Sequence, residues 1–328
     1  MPVVSTLSPQ LGALLHADPG EQVADLDEQM LIRLLRDSGV LVFRDFPASP
    51  EVFQSLTERF SSEFLQHGIS NRPQLKEGDN YTNLANIGQF PLILHSEMSY
   101  FPVSPQLLWF YCVTPAESNG ETTLCDGSEL LSRMTREHVA FFRQRRLMYT
   151  YPTPEGESGF FGRFSPDDVN HRLQAESSFE YRRCPTAEIM DHLSSFYPAS
   201  VAENLRPLLL SRADNFDPVV FPSMLMVKYI TPAIRRTRLS EKEAFVNSAI
   251  QFFPNKRFHS LIYDETGAKL DASMMAELLE LAEECTYAHP WQEGDMVMID
   301  NTRVLHGRRE FQDTRRTIQT RMSMANFD

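Results

Sequence analysis

The sequence predicts a mainly β fold with helices (α+β), a pattern that fits a double-stranded β-helix, or jelly roll, covered by N-terminal and inserted helices. Two observations support this. Helical periodicity is concentrated near the N-terminus and in segments that separate apolar runs, and the apolar runs themselves are short enough to be buried strands. Such an arrangement of strands and peripheral helices fits a layered architecture. Periodicity alone does not determine how the strands connect.

Four helices are predicted from the pattern. Residues 26–36 carry apolar side chains at helical spacing, and Gly39 follows as a C-terminal stop. A second amphipathic helix is predicted over 51–64, and a third over 128–146. A fourth is predicted over 271–284, which opens with an aspartate that can accept hydrogen bonds from the first-turn amides.

Buried strands are predicted between these helices. They are residues 40–46, 147–152 and 296–299, and two apolar runs on either side of the turn at 114–120. The polar segment 71–89 is predicted as a loop. Residues 153–168 are predicted as either a lid over a substrate or an ordinary surface excursion.

Composition excludes several function classes. The 328 residues carry a net charge of −13, which argues against nucleic-acid and membrane-surface partners because phosphate binding needs clustered lysine and arginine. The four cysteines have neither metal-binding spacing nor the density of a disulfide scaffold, which is typical of a reduced cytoplasm. No signal peptide or membrane span is recognisable, so a soluble cytoplasmic protein is expected.

The most informative motif is His95-Ser96-Glu97, with His306 far along the chain. In an extended segment residues i and i+2 point to the same side, so His95 and Glu97 can reach one ion while Ser96 faces away. Two imidazoles and a carboxylate can occupy one face of an octahedral metal and leave three positions open for a co-substrate and O2. If both ends of the chain supply ligands, residues 1–328 form a single domain.

A His-x-Glu triplet is weak by itself, because nine histidines and 44 acidic residues produce such triplets by chance. The alternative is an ordinary surface pair. Two further motifs favour the metal site: Asn119-Gly120-Glu121-Thr122 and Arg315-Arg316, the second of which follows His306 by ten residues.

With these motifs the chain resembles, over nearly its whole length, the Fe(II)/2-oxoglutarate-dependent dioxygenases of the taurine dioxygenase type. Within them it resembles the His-x-Glu branch, which includes clavaminate synthase and amino-acid β-hydroxylases. The resemblance implies the jelly-roll topology, and it implies that His95, Glu97 and His306 bind iron. It also implies that Thr122 and Arg316 hold 2-oxoglutarate, since an arginine fork matches a carboxylate with two hydrogen bonds.

The chain departs from the family pattern at three positions. Asn119 replaces a glycine, and Glu97 replaces the more common aspartate, although a carboxylate at this position still argues against halogenation. A further family arginine falls on Thr320, with Arg321 adjacent. Arg321 is therefore assigned to co-substrate binding, with two alternatives open: support of the carboxylate clamp, or a salt bridge.

The resemblance also implies the reaction, which is hydroxylation with release of succinate and CO2. The substrate class is an amino acid or amino-acid derivative of secondary metabolism, such as antibiotic biosynthesis, either free or bound to a carrier protein. Asn83, Asn86 and Tyr100 are the candidate substrate residues, with a turn or core role as the alternative.

Other outcomes stay open from the sequence. They are desaturation, epoxidation or cyclisation by the same cofactors, a non-catalytic metal- or metabolite-binding protein, and assembly into a homo-oligomer. A zinc hydrolase is disfavoured, because no nearby general base such as the glutamate of His-Glu-x-x-His is present.

Overall fold

The computed structural model describes residues 2–9, 11–66, 79–85, 88–155, 169, 171–211, 217–253 and 262–327. Within these residues the strands are β1 (Val3–Thr6), β2 (Ala13–His16), β3 (Val40–Arg44), β4 (Ser61–Phe64), β5 (Asn83–Leu84), β6 (Leu92–His95), β7 (Leu107–Thr114), β8 (Thr122–Asp126), β9 (Leu147–Pro154), β10 (Ser178–Pro185), β11 (Ser223–Thr231), β12 (Ile234–Arg236), β13 (Glu243–Phe245), β14 (Ile262–Asp264), β15 (Tyr287–His289), β16 (Met296–Asp300), β17 (Val304–Arg308) and β18 (Thr317–Ala325). The α-helices are α1 (Glu28–Ser38), α2 (Pro50–Arg59), α3 (Gly127–Arg133), α4 (Arg136–Gln144), α5 (Ile189–Phe196), α6 (Ala199–Leu210), α7 (Ala249–Phe252) and α8 (Ala272–Glu284).

Two sheets form the jelly-roll core. The major sheet has the strand order β1-β2-β3-β16-β7-β18-β4, with β5 pairing to β18, and is antiparallel except between β2 and β3. The minor sheet has the order β15-β8-β17-β6 and is antiparallel throughout. This pair of sheets confirms the predicted jelly-roll fold.

The major sheet buries both faces. Its inner face carries alternate residues such as Val42, Phe110 and Ile318, which belong to the same core cluster as Leu124 and Leu305 of the minor sheet. Its outer face carries the intervening residues, which pack with the apolar stripes of α1 and α2 in a second cluster. Since side chains alternate along a strand, each residue of β18 belongs to one face or the other.

A third sheet, of order β10-β11-β9-β14, lies outside the jelly roll, and the sequence predicts only its strand β9. Its second face packs against helices α5 and α6. The chain between β9 and β10 contains residues 156–168, so most of the predicted lid or surface loop at 153–168 lies outside the described residues.

Several predicted elements are confirmed. The first helix is capped by Asp27, which accepts a hydrogen bond from Met30 N, and ends at Gly39 with a left-handed φ of 75°. The strand predicted over 296–299 is β16, and Asp271 caps α8 by accepting from Met274 N.

Two helix predictions were wrong in extent. The helix predicted over 51–64 ends at Arg59, and the following residues form β4, which pairs with β18 and adds a hydrogen bond between the Ser61 and Ser323 hydroxyls. Strand pairing with a distant segment outweighs the local helical pattern there. The helix predicted over 128–146 is two helices, because Thr135 turns the chain and caps α4 by accepting from His138 N.

No helix among the described residues has both the length and the apolar character required to cross a membrane.

Candidate active site

His95, Glu97 and His306 lie together at one end of the minor sheet. His95 ends β6, and His306 in β17 is its direct antiparallel partner. Glu97 Oε2 lies 3.8 Å from His95 Nε2 and 3.5 Å from His306 Nε2, and all three side chains are buried. Metal bonds of about 2.1 Å place two donor atoms of one ion roughly 3 to 4 Å apart. The three ligand atoms, all within 4.8 Å of one another, therefore fit a single ion.

The imidazole of His95 has the tautomer that a metal ligand needs. Its Nδ1 lies 2.8 Å from the carbonyl oxygen of Ile93. Because a carbonyl oxygen only accepts, Nδ1 carries the proton and Nε2 presents a lone pair toward Glu97. With Fe(II), two neutral imidazoles and one carboxylate leave a net charge of about +1, which suits an anionic co-substrate.

The turn that carries Glu97 is held by Asn301. The Asn301 Oδ1 accepts from Glu97 N at 2.8 Å, while its Nδ2 donates to the carbonyl oxygens of Glu97 and Pro105 at 3.1 and 2.8 Å. Ser96 faces away from the ligand atoms and donates to the Asn301 carbonyl oxygen at 3.0 Å. Sequence reasoning missed this positioning role, although the Asp300-Asn301 pair before His306 was a visible signal for it.

The backbone beside the metal ligands is conformationally unusual. Met98 directly follows Glu97 and has a φ of 55°, in the left-handed region that residues other than glycine seldom adopt. Gly307 directly follows His306, and a Cβ there would lie 2.4 Å from the Leu92 carbonyl oxygen. Only glycine permits this close approach of β17 and β6, which keeps His306 opposite His95.

The predicted co-substrate residues converge on a second buried group. Arg316 Nε donates to the Gly120 carbonyl oxygen at 3.1 Å, and a Cβ on Gly120 would lie only 3.1 Å from the same nitrogen. Gly120 has a φ of 75°, and Asn119 has a φ of 57°. Asparagine tolerates this left-handed conformation better than most residues, so the loss of the family's first glycine is accommodated.

Thr122 is oriented by an indole. Its buried Oγ1 accepts from Trp291 Nε1 at 3.1 Å. A threonine hydroxyl both accepts and donates, so the Thr122 proton remains able to donate to a carboxylate. Trp291 also packs edge-on against Phe110, with ring centroids 6.3 Å apart, and Phe110 lies 5.9 Å from the ring of His306. An aromatic wall thus connects the iron-ligand end of the site with Thr122.

Arg308 is a second buried cation that sequence reasoning missed. Its guanidinium carbon and that of Arg316 each lie 5.0 Å from the ring centroid of Phe311. Arg308 Nη2 donates to the carbonyl oxygens of Gly88 and Phe90 at 3.0 and 2.8 Å. Burial, together with the nearby Arg308 charge, lowers the pKa of Arg316 to about 10. Two buried guanidiniums on one ring produce a positive region that an anion would stabilise. The signal for Arg308 was its place two residues after His306.

Arg321 does not lie with these groups. It pairs across the ladder with Trp109 on the outer face of the major sheet, where its Nη1 donates to Thr57 Oγ1 at 2.7 Å. Its guanidinium also lies 3.7 Å from Glu58 and 4.1 Å over the ring of Phe64. The assignment of Arg321 to 2-oxoglutarate is therefore corrected. The salt-bridge alternative fits, because the parity of β18 directs this side chain toward α2.

Thr320 is the residue of β18 that faces inward at this point. It pairs with Phe110 on one side and Asn83 on the other, so these three side chains share the inner face. The Thr320 hydroxyl is buried and has no hydrogen-bond partner among the described residues. The predicted substrate residue Asn83 is itself buried and donates to the Tyr81 carbonyl oxygen at 3.2 Å.

The other two predicted substrate residues are less informative. Tyr100 follows the metal turn, is partly buried and packs against Phe252 at a centroid distance of 5.6 Å, as a core tyrosine would. Asn86 lies outside the described residues.

A jelly roll with a buried two-histidine, one-carboxylate group has the fold and donor set of a non-haem iron oxygenase. Comparison with known proteins gives the particular family. The profile of the taurine catabolism dioxygenase TauD, TfdA family matches residues 4–322. The chain belongs to this family and is an Fe(II)/2-oxoglutarate-dependent dioxygenase, which acts on a small molecule.

Individual relatives are distant. The chain is 24% identical to a clavaminate synthase-like protein of Arabidopsis thaliana over 308 residues, or 90% of this chain and 85% of that protein. It is also 24% identical to the dapdiamide synthesis protein DdaC of Enterobacter agglomerans over 286 residues, or 86% of this chain and 81% of that protein. Among solved structures, PvcB of Pseudomonas aeruginosa superimposes with a TM-score of 0.57 at 16% identity, over 98% of this chain and 90% of PvcB.

Proposed function

We propose that this dioxygenase hydroxylates an amino acid or amino-acid derivative in secondary metabolism, with succinate and CO2 as co-products. The observation that carries the proposal is the buried group of His95, Glu97 and His306, together with the buried cations Arg308 and Arg316 on the ring of Phe311. The relatives support the substrate class. One is a dapdiamide synthesis protein, one is clavaminate synthase-like, and PvcB is an Fe, α-ketoglutarate dependent oxygenase from an isonitrile synthetic pathway.

In this proposal His95, Glu97 and His306 hold the iron, and Arg316 with Thr122 holds the far carboxylate of 2-oxoglutarate. When bound, iron, 2-oxoglutarate and O2 supply the oxidising power to attack an unactivated C–H bond. The protein positions the reactants and excludes water from the site. Arg316 offers a fixed two-pronged donor to a carboxylate, Thr122 offers a hydroxyl already oriented by Trp291, and Phe110 excludes water between the two ends of the site.

The substrate would contact the inner face of the major sheet near β5. Asn83 and Thr320 place polar groups there, next to Phe110. An amide and a hydroxyl suit the amino and carboxylate groups of an amino-acid-like substrate. Tyr100 and Asn86 remain predicted substrate residues. Delivery of the substrate by a carrier protein also remains a prediction, as does the organisation of residues 1–328 as one domain.

The cofactor assignment is tested by an anaerobic titration of the full chain with Fe(II) and then 2-oxoglutarate. Chelation of the 2-oxo acid by iron is expected to produce a visible charge-transfer band. A folded protein that binds Fe(II) and gives no band on addition of 2-oxoglutarate would contradict the proposal and favour the non-catalytic metal-binding alternative.

The reaction type is tested by incubating the complete system with a panel of amino acids while succinate is measured. Hydroxylation adds one oxygen atom to the substrate, whereas desaturation or cyclisation removes two hydrogens. Epoxidation also adds one oxygen, and it is distinguished by the loss of an alkene. Substrate-dependent succinate without any oxygenated product would replace hydroxylation by desaturation or cyclisation, and an oxygenated product that has lost an alkene would replace it by epoxidation.

A further inference from the structure

Two cysteines, Cys125 and Cys285, lie near each other at the minor sheet. Neither is close in sequence to the proposed iron ligands. Cys125 is buried in β8, and Cys285 is partly exposed directly after α8. Cys285 packs against the core cluster that contains Cys125, and each thiol shifts the pKa of the other. The ladder explains the contact, since Tyr287 of β15 pairs with Leu124 of β8 and places the chain just before β15 alongside Cys125.

A cation lies at the same sulfur. Arg133 Nη1 donates to Cys285 Sγ at 3.3 Å, and Arg133 Nη2 is held by Glu284 at 2.6 Å. A thiolate at Cys285 would thus accept a hydrogen bond from Arg133, and the Cys125 thiol further lowers its pKa. Both favour the ionised form over the neutral one. Glu129 on α3 is the nearby charge that opposes ionisation.

The other cysteines have the opposite environment. Burial raises the pKa of Cys112 to about 12, and it also raises that of Cys184. The pKa of Cys125 is raised well above its usual value by its hydrogen bond to Cys285 and by burial. Cys285 alone is shifted downward, to a pKa of about 7, by its hydrogen bond to Cys125 and by Arg133. Reactive thiols are those with low pKa and access to solvent, often beside a second thiol.

We propose that Cys285 is a peroxide-reactive thiol and that Cys125 converts its oxidised form into an intramolecular disulfide. The Cys285 thiolate attacks one oxygen of hydrogen peroxide, the O–O bond breaks, and hydroxide leaves a sulfenic acid on Cys285. The Cys125 sulfur then attacks the sulfenic sulfur, and the Cys125 proton leaves with the hydroxyl group as water. In total, two thiols and one peroxide give one disulfide and two waters.

The disulfide would join β8 to the end of α8. Thr122, the residue oriented by Trp291, lies three positions before Cys125 on the same strand. The modification site therefore lies on the strand that carries a proposed co-substrate residue. Oxidation of the two cysteines can be measured whether or not iron is bound.

The test uses the full chain treated with hydrogen peroxide in the presence of a chelator, so that bound iron does not generate radicals. After free thiols are blocked with an alkylating reagent, peptide mass spectrometry without reduction is expected to show a Cys125–Cys285 cross-link with the loss of two hydrogens. Cys285→Ser should abolish it, and Cys184→Ser is the matched control that should retain it. Equal oxidation of wild type and Cys285→Ser, or a cross-link between other cysteines, would overturn the proposal.

Two further variants separate reactivity from packing. In Cys125→Ser the sulfenic acid on Cys285 should persist and be captured by dimedone, whereas dimedone labelling elsewhere would contradict the assignment. Arg133→Met should move the pH midpoint for alkylation of Cys285 upward by about one unit, while Arg133→Lys keeps a donor and should move it less. An unchanged midpoint in Arg133→Met would remove the role given to the guanidinium. If Cys125→Ser does not fold, the cross-link mapped in the wild-type chain is by itself the test of the proposal.

Discussion

Two buried arginines at strand β18, Arg321 and Arg316, have opposite electrostatic environments. On the outer face, Arg321 contacts Thr57, lies near Glu58 and covers Phe64, so local groups of α2 and β4 account for its burial. Arg316, which directly precedes the same strand, is buried beside Arg308, another cation, and its pKa is lowered by burial and by that charge. Arg321 thus has a structural environment on the outer face, whereas a bound anion would relieve the like-charge repulsion between Arg316 and Arg308.

The largest expected effect on activity comes from comparing two carboxylates, Glu97 at the proposed iron site and Glu58 beside Arg321. Glu97→Ala removes the anionic iron ligand and should abolish substrate-dependent succinate formation, because the site loses one of its three protein donors and its negative charge. Glu58→Ala, which removes the partner of Arg321, is the control and should keep activity. Succinate measured at saturating Fe(II) checks both, and full activity in Glu97→Ala would remove this residue from the iron site.

The next largest effect is expected from replacing the two arginines, Arg316 and Arg321. Arg316→Ala should weaken 2-oxoglutarate binding about a thousandfold, or roughly 4 kcal/mol, because a buried carboxylate loses its charged partner. Arg321→Ala should leave this affinity within about twofold and instead lower the free energy of unfolding by about 2 kcal/mol. Anaerobic titration and urea unfolding of both variants test the contrast. The reverse pattern would exchange the roles of the two arginines.

A buried acid on the outer face provides a pH-dependent test. Burial raises the pKa of Asp300 to about 6, although Thr302 N and Oγ1 both donate to its Oδ1, and its Oδ2 has no partner among the described residues. The folded chain thus holds this proton at a pH where the unfolded chain, with a pKa near 3.8, has released it. The contribution of this group to stability is complete below about pH 4 and is lost as the pH rises through about 6.

Asp300→Asn should remove that pH dependence while keeping an oxygen that accepts from Thr302. Relative to wild type, the variant should gain about 3 kcal/mol of unfolding free energy between pH 4 and pH 7, since a shift of about two pKa units corresponds to that energy. Urea unfolding at several pH values measures the difference. A pH-independent difference would show that Asp300 is ionised in the folded protein throughout. Asp295 is the comparison with the opposite sign: burial favours its neutral form, but its hydrogen bonds, first of all from Arg44, outweigh burial and lower its pKa.

The smallest effect concerns positioning on the inner side. Asn301→Ala removes the side-chain hydrogen bonds that hold the Glu97 turn and should weaken Fe(II) binding about tenfold, as expected for a residue that orients a metal ligand. Asn326→Ala removes a hydrogen bond to the Arg59 carbonyl oxygen on the surface and should leave metal affinity unchanged. Competition titration with a metal chelator compares the two. Equal metal affinity in both variants would make Asn301 purely structural.

By itself, the sequence determined the features that depend on nearest neighbours and spacing. Helix α1 with its Asp27 cap and Gly39 stop, the apolar strand β16 and the i, i+2 arrangement of His95 and Glu97 all follow from local patterns. The resemblance to the family predicted the roles of His306, Thr122 and Arg316, because the type and order of motif residues can be recognised without knowing the fold.

Only the tertiary structure decided features that depend on pairing between distant segments. The strand register placed Arg321 on the outer face and Thr320 on the inner one, and a shift of one residue would have exchanged them. Pairing with β18 converted residues 61–64 from predicted helix into strand. The meeting of Arg308 with Arg316 on Phe311 arose from folding alone. The physical reason is that hydrogen-bonded ladders and burial are set by contacts between residues far apart in sequence, which local propensity does not encode.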